Sequence, residues 1–188
     1  YFLDAQERAG FESIELWGGI PHFYLDPSSY EDCKALKKKI RDHHLKLVEF
    51  TPENCTYQYQ MAAKGINFKK SLEYFKNGIR ACAELECPQI STNSGWGYLD
   101  ETREEAWKRS VEMNRILCDF AAEYGITVAM ETAQDLIVGQ DFEPFLCETD
   151  TPDFLAAFRL VEHLPEMKDA VDVLILCGGS ATDLPVQS

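Results

Sequence analysis

The stretch ELWGGIPHFY, residues 15–24, carries a carboxylate inside an apolar run, then two glycines, a proline and a histidine. Its first half belongs to SIELWG (13–18), a short run with β-branched and aromatic members that reads as a strand. Its second half, continued as GIPHFYLDPSS, is rich in turn formers and reads as a loop. A nucleotide-binding fold would place a glycine-rich turn after its first strand and directly before a helix. No GxGxxG is present, and a run of loop residues follows Gly18-Gly19, so this turn does not cradle a pyrophosphate on a helix terminus. A strand that leads into polar and aromatic loop residues instead fits a (β/α) barrel, where chemistry gathers at the C-terminal mouth.

Working outward, strand, loop and helix repeat. YFLDAQERAG at the start reads as helix. After the quoted loop a helix is expected over about 30–44, with Ser29 as cap and Asp32 as its reciprocal acid. KLVEF (46–50) is the next strand, TPENCTYQYQ its loop, and a helix over about 69–86 ends before Pro88. QIST (89–92) is a third strand and STNSGWGYLDE its loop; Thr102 then caps a long helix, with Glu105 completing a capping box. ITVAMET (126–132) is a fourth strand and FEPFLCET (142–149) a fifth. Thr151-Pro152 opens another helix, and VDVLILCGG (171–179) is the sixth strand. Strands apolar on nearly every residue predict a parallel sheet covered by helices. The expected fold is α/β, a TIM-barrel-like (β/α) repeat in one domain over residues 1–188. It is incomplete, because the chain opens within a helix and stops just after a strand-like run.

The 188 residues suffice for one sizeable core. A formal net charge of -14 repels phosphate backbones and argues against a nucleic-acid partner. No apolar run approaches the roughly 18 residues of a membrane span, and no basic leader precedes an apolar core. Seven cysteines without a CxxC pair read as reduced thiols of a cytoplasmic protein, each a small buried hydrophobe.

The strand ends carry the candidate chemistry. Glu15, Glu49, Glu131 and Glu148 each fall in or near the C-terminal part of a strand. Carboxylates gathered at a mouth raise each other's pKa unless a cation neutralises them. Oxygen donors suit Mn²⁺ or Mg²⁺, and an added histidine widens the choice to Co²⁺, Zn²⁺ or Fe²⁺. Glu131 ends an otherwise apolar strand, where an unpaired charge is costly. It is a metal ligand, a catalytic base, or a carboxylate paired to a buried arginine or capping a loop. In CETDT, Glu148 and Asp150 divide between ligation and favouring the start of the next helix. His22, among aromatic neighbours, is a substrate contact or a packing histidine; His43 and His44 close a helix and read as structural. Trp17, Trp96 and Tyr98 lie near strand exits, where aromatic faces stack on the C–H faces of a sugar or pack into the core. Asn54, Gln58, Asn93 and Ser94 suit hydroxyl groups.

ELWGGIPHFY, VEFTPENCTYQYQMA, NSGWGYLDETREEAWKRS and GITVAMET together resemble the sugar phosphate isomerase/epimerase group of the xylose-isomerase-like TIM barrels, over about residues 1–135. The resemblance implies a divalent metal held by Glu, Asp, His and Glu from strands 5 to 8. Two of those acids flank a substrate carbon and move a proton in an aldose–ketose or epimerase reaction. Carried across, SIELWG is strand 2, Glu131 the first ligand and Asp150 the second, 19 residues further on. Cys177 stands where the histidine is expected, and the strand 8 glutamate has no counterpart. A second segment, VDVLILCGGSATDLPVQ (171–187), resembles part of meso-diaminopimelate dehydrogenase, a Rossmann-type NADP enzyme, and points to a change of origin near 135–170.

The expected function is a metal-dependent isomerase or epimerase of a sugar or sugar phosphate, using Mn²⁺, Mg²⁺ or Co²⁺. Glu131 and Glu148 would be catalytic, and Glu131 and Asp150 would hold the metal. Glu15, Trp17, His22, Asn54, Trp96 and Tyr98 would meet the sugar. A half-built metal site makes an inactive form part of the same expectation. The alternatives are a fragment of an NADP-dependent oxidoreductase and a non-catalytic α/β scaffold. Open strand edges would invite self-association.

Overall fold

A computed structural model describes residues 1–53, 59–131 and 173–175, the last three by backbone alone. Over these residues helices and strands alternate as α1 (Phe2–Arg8), β1 (Ser13–Gly18), α2 (Cys33–Asp42), β2 (Lys46–Pro52), α3 (Gly65–Leu85), β3 (Gln89–Asn93), α4 (Arg103–Ala122), β4 (Thr127–Glu131) and β5 (Val173–Ile175). All strand pairs are parallel, and the sheet order is β1-β2-β3-β4-β5. A doubly wound sheet reverses its order at a switch point. This one runs in sequence order throughout, as barrel staves do. Among the described residues β1 and β5 are not paired, so the sheet is open. The strand expected at 142–149 and the helix expected from Thr151 lie outside the described residues. Val173–Ile175, expected one stave further round, pairs directly with β4.

Local chemistry explains most of the boundaries. Thr102 and Glu105 form the expected capping box of α4: Thr102 Oγ1 accepts from Glu105 N at 3.3 Å, and Glu105 Oε2 accepts from Thr102 N at 2.8 Å. The cap expected at Ser29 is corrected. Asp32 is itself the N-cap of α2, accepting from Lys34 N at 3.0 Å. Ser29 instead exchanges backbone bonds with Asp26 in a turn. Helix α3 begins at Gly65, four residues before its expected start, without a side-chain cap at Lys64. It ends where Glu86 turns left-handed at φ 60°.

The core lies between the sheet and helices α2, α3 and α4. Phe50 and Ile90 of the strands meet Phe75 and Ile79 of α3, while Val128 sits with Met113 and Leu117 of α4, all buried. Burying each such side chain contributes about 1.5–3 kcal/mol. Gly78 lets α3 approach closely, since a Cβ there would stand 2.9 Å from Ile90 Cδ1.

The described strands turn their apolar side chains to the helices and polar ones to the opposite face. Ile14, Leu47, Phe50, Ile90, Val128 and Met130 turn to the helices. The opposite face carries Glu15, Trp17, Glu49, Thr51, Gln89, Ser91, Asn93 and Glu131. In β1 the alternation is plain: Ile14 is buried, Glu15 and Trp17 are exposed, and Gly18 is buried. Between β1 and β2 the register slips, because Ile14 faces Leu47 while Glu15 faces Glu49, leaving Val48 as a bulge. The thiols of Cys33, Cys82 and Cys87 are buried and that of Cys118 half-buried, and none of these four is in a disulfide.

Candidate active site

The mouth of the sheet is formed where β1, β2, β3 and β4 end. Two glycines shape its first corner. The Trp17 indole folds back over Gly19, where a Cβ would fall 2.3 Å from Trp17 Cζ2. A Cβ on Gly18 would stand 2.6 Å from Phe50 Cζ. The chain then turns, His22 N and Phe23 N both donating to the Gly19 carbonyl, at 2.8 and 3.1 Å. Phe23 is driven into the core against Phe50, with centroids 5.2 Å apart. His22 stays exposed, its ring edge-on to Trp17 at 5.8 Å. Glycines after a strand-borne tryptophan thus hold an indole and an imidazole together at the surface.

Two tiers of acid line the inner face. Glu15 and Glu49 are directly opposite in register and sit mid-strand, which corrects their expected placement at strand ends. Thr51 Oγ1 donates to Glu15 Oε1. Burial pushes the Glu49 carboxyl up, the neighbouring Glu15 and Glu131 add to this, and hydrogen bonds to Gln89 and Ser91 partly offset it. Glu131 is the last residue of β4 and half-buried, and its register partner on β3 is the buried Asn93. Asn93 Oδ1 accepts from Gly95 N at 3.0 Å, opening the β3–α4 loop.

That loop is clasped to the one before α3. Buried Gln60 accepts with Oε1 from Ala62 N and from Trp96 N, both at 2.9 Å, and its own backbone N donates to Ser71 Oγ at 3.0 Å. Gly95, at φ +79°, passes so close that a Cβ would lie 2.6 Å from Gln60 Oε1. Glu101, only 4% exposed, accepts from Tyr98 N at 2.7 Å and pairs with Arg109 at 2.6 Å and Lys64 at 2.9 Å. Burial alone would raise its carboxyl, but Arg109 and Lys64 outweigh burial and hold it below the usual carboxylate range. Arg109 Nε also donates to the Ala62 carbonyl at 2.9 Å.

Of the residues singled out from sequence, the structure brings Trp17 and His22 together and gathers Glu15, Glu49, Asn93 and Glu131 on one face. Trp96 and Tyr98 are half-buried and tied into the loop clasp. The Tyr98 hydroxyl accepts from Lys64 N at 3.2 Å, with the Lys64 ammonium 4.8 Å from the ring centroid. His43 caps α2, its Nδ1 2.9 Å from Glu7 Oε2, in keeping with a structural role. Asn54, Gln58, Glu148, Asp150 and Cys177 lie outside the described residues. Gln60, Glu101 and Arg109 were not singled out; an amide beside the apolar MAA run was their one sequence signal. Among the described residues no three His, Cys, Asp or Glu side chains converge as a metal site. Glu131 alone does not make one. No described helix is long and apolar enough to cross a membrane.

An open run of parallel staves with acids along one face and at the mouth is half of a familiar architecture. The model of the xylose isomerase-like TIM barrel family matches residues 3–168, and the chain belongs to that family. Fructoselysine 3-epimerase of Shigella flexneri is 27% identical over 132 residues, which are 69% of this chain and 47% of that protein. The protein of the same name from Escherichia coli O157:H7 is 26% identical over the same shares. The chain thus spans about half the length of these curated relatives. Among solved structures, D-psicose 3-epimerase from Clostridium cellulolyticum H10 superposes with a TM-score of 0.63 at 16% identity, covering 94% of this chain and 56% of that one. A xylose isomerase domain protein from Planctomyces limnophilus gives 0.55 at 13% identity, covering 92% and 67%. These structural likenesses speak for the fold, an incomplete TIM barrel. The family match ends before segment 171–187, and none of these matches supports its resemblance to meso-diaminopimelate dehydrogenase.

Proposed function

We propose that the chain carries part of the site of a sugar epimerase or isomerase that moves a proton on the carbon beside a carbonyl of a keto sugar. The observation that carries this reading is Glu131 at the end of β4, set against Asn93 on the polar inner face of a sheet belonging to a family whose named relatives are sugar epimerases. Glu131 takes or returns the proton. Asn93 and Ser91 bind hydroxyl groups, and Trp17 with His22 walls the sugar from the β1 side. Aromatic C–H stacking there excludes water from one sugar face. Glu148 belongs to the same reading as the second proton-handling acid, as do Glu15, Asn54, Trp96 and Tyr98 as sugar contacts. Metal binding by Glu131 with Asp150 rests on the family resemblance. The described residues do not form a metal centre.

The test is proton exchange. Incubated with D-fructose or D-psicose in D₂O, the chain is expected to place deuterium on the carbon next to the ketone, read by NMR. Glu131→Gln is expected to lower the exchange rate by about 10²-fold or more, the usual scale of a lost general base. Equal exchange by the variant removes Glu131 from the chemistry. No exchange by the wild-type chain leaves it a non-catalytic α/β scaffold.

A further inference from the structure

Helix α3 ends in a turn that brings two cysteines together. Glu86 is left-handed at φ 60°, its N donating to the Ala83 carbonyl at 3.3 Å, and Cys87 N reaches back to the Cys82 carbonyl at 2.9 Å. This is the Schellman pattern, in which the side chains at the two outer positions meet and are ordinarily apolar. Here both are thiols, and both are buried. They stand five residues apart, so no CxxC spacing announces them. Their sulfurs lie on one acceptor, the Gln89 carbonyl, Cys87 Sγ at 3.2 Å and Cys82 Sγ at 3.8 Å, and they are in hydrogen-bond contact with each other. The Cys82 S–H holds the Cys87 thiol below its usual range, with burial opposing; burial and then the same bond push the Cys82 thiol up. A cleft of about 380 Å³ reaches this turn from outside, lined there by Leu85, Glu86 and Pro88, the residues around Cys87.

We propose that Cys82 and Cys87 are a modification site, a thiol pair that hydrogen peroxide closes to a reversible disulfide across the end of α3. The backbone bond between the two residues already holds them side by side, as a disulfide requires. Cys87, served by the Cys82 S–H, is the sulfur that gives up its proton and attacks. Its thiolate takes one peroxide oxygen: an S–O bond forms, the O–O bond breaks, and the other oxygen leaves as water with the proton that Cys87 gave up. The Cys82 sulfur then attacks the Cys87 sulfur. The S–S bond forms, the S–O bond breaks, and the hydroxyl leaves as water with the Cys82 proton. Two thiols are oxidised and one peroxide is reduced to two waters. Cys33 is the contrast, since burial pushes its thiol up to about 12 and its Sγ donates to the Glu31 carbonyl at 3.6 Å.

Peptide mapping of the whole chain tests this. Trypsin cuts after Arg80 and Arg103, so one peptide, residues 81–103, holds both cysteines and no third, while Cys33 falls in residues 9–34. The reduced chain is treated with about one equivalent of hydrogen peroxide, unfolded in N-ethylmaleimide and digested. The 81–103 peptide is expected to be two hydrogens lighter and unlabelled, and to take two maleimides when dithiothreitol precedes the label. Cys33 is expected to keep its maleimide, its oxidation at least about tenfold slower than that of the pair. In Cys82→Ser, Cys87 is expected to stop at the sulfenic acid, trapped by dimedone. Two maleimides on the wild-type 81–103 peptide after peroxide leave the pair as packing and overturn the proposal without need of a variant. A bridge from either cysteine to another peptide, or Cys33 oxidised as fast as the pair, overturns it too. The preference over Cys33 is expected to vanish when peroxide is added in urea; a preference kept there overturns the part given to the turn.

Discussion

Replacing Arg109 by methionine tests whether the clasp between the two mouth loops is electrostatic. Methionine keeps much of the apolar stem but removes three bonds: to Glu101 Oε1 at 2.6 Å, to the Ala62 carbonyl at 2.9 Å and to the Glu105 carbonyl at 3.1 Å. Breaking a buried ion pair costs about 3–5 kcal/mol when the remaining charge is stranded. Here Lys64 still reaches Glu101 at 2.9 Å, and the Arg109 side chain is one-fifth exposed. The expected loss at pH 7 is therefore about 2–3 kcal/mol, or a Tm lower by about 4–12 °C for a chain this size. The pH dependence gives the sharper reading. In the wild-type chain Glu101 titrates below its unfolded value of about 4.3, so its stabilisation is present above that pH and fades as pH falls through the folded pKa. In the variant burial prevails, the folded pKa rises, and protonation relieves the stranded charge. The difference between the two proteins should shrink as pH falls from 7 to 4. Urea unfolding followed by tryptophan fluorescence at several pH values measures it. A penalty that stays constant across that range, or is below about 1 kcal/mol at pH 7, refutes the electrostatic account.

Three further outcomes follow from other parts of the sheet and its loops. Glu49→Gln should stabilise the fold at pH 7 by about 0.5 kcal/mol, since like charges face each other across β1 and β2. Because the folded Glu49 carboxyl is raised, the gain should vanish as pH falls below its pKa, where the wild-type acid is already neutral; denaturant midpoints at pH 7 and 4 check this. Gly95→Ala places a Cβ at positive φ and 2.7 Å from Ala62 N, so a loss of about 1–3 kcal/mol is expected in thermal unfolding, with quenching of tryptophan fluorescence altered at Trp96. Mn²⁺ titrated calorimetrically into the chain is expected to bind with an affinity at least about tenfold higher than in Glu131→Gln; equal titrations would remove Glu131 from any metal site.

The repeat of strand, loop and helix was legible because each helix carries its own period and each strand is short and bounded by turn residues. Thr102 and Glu105 announced a helix start because a capping box is local. The start of α3 was not legible, because Gly65, Ile66 and Asn67 are poor helix formers and Lys64 offers no cap; the packing of Ser71, Tyr74 and Phe75 carries that helix. Ser29 and Asp32 are both capping residue types, and the turn that ties Ser29 to Asp26 leaves the cap of α2 to Asp32. The inner face was half read. Glu15 and Glu131 stood out as acids within apolar runs, but their side of the sheet depends on register, which no single strand contains. The clasp of Gln60, Glu101 and Arg109 was missed for a related reason. Its partners lie 36 and 47 residues apart, where no local pattern links them.

The bulge at Val48 has the character of a reading-frame correction. Side chains on a strand alternate, so one extra residue inverts the parity of everything after it. Leu47 and Phe50 both face the helices although an odd number of steps separates them, and Glu49 faces Glu15 across the mouth side. Paired without the bulge, β2 would aim Phe50 at the polar face and Glu49 at α3, whereas deleting Val48 leaves Leu47 and Phe50 two steps apart, both still facing the helices. The bulge therefore lets a strand one residue longer than its partner keep the same side chains turned to the core and to the site.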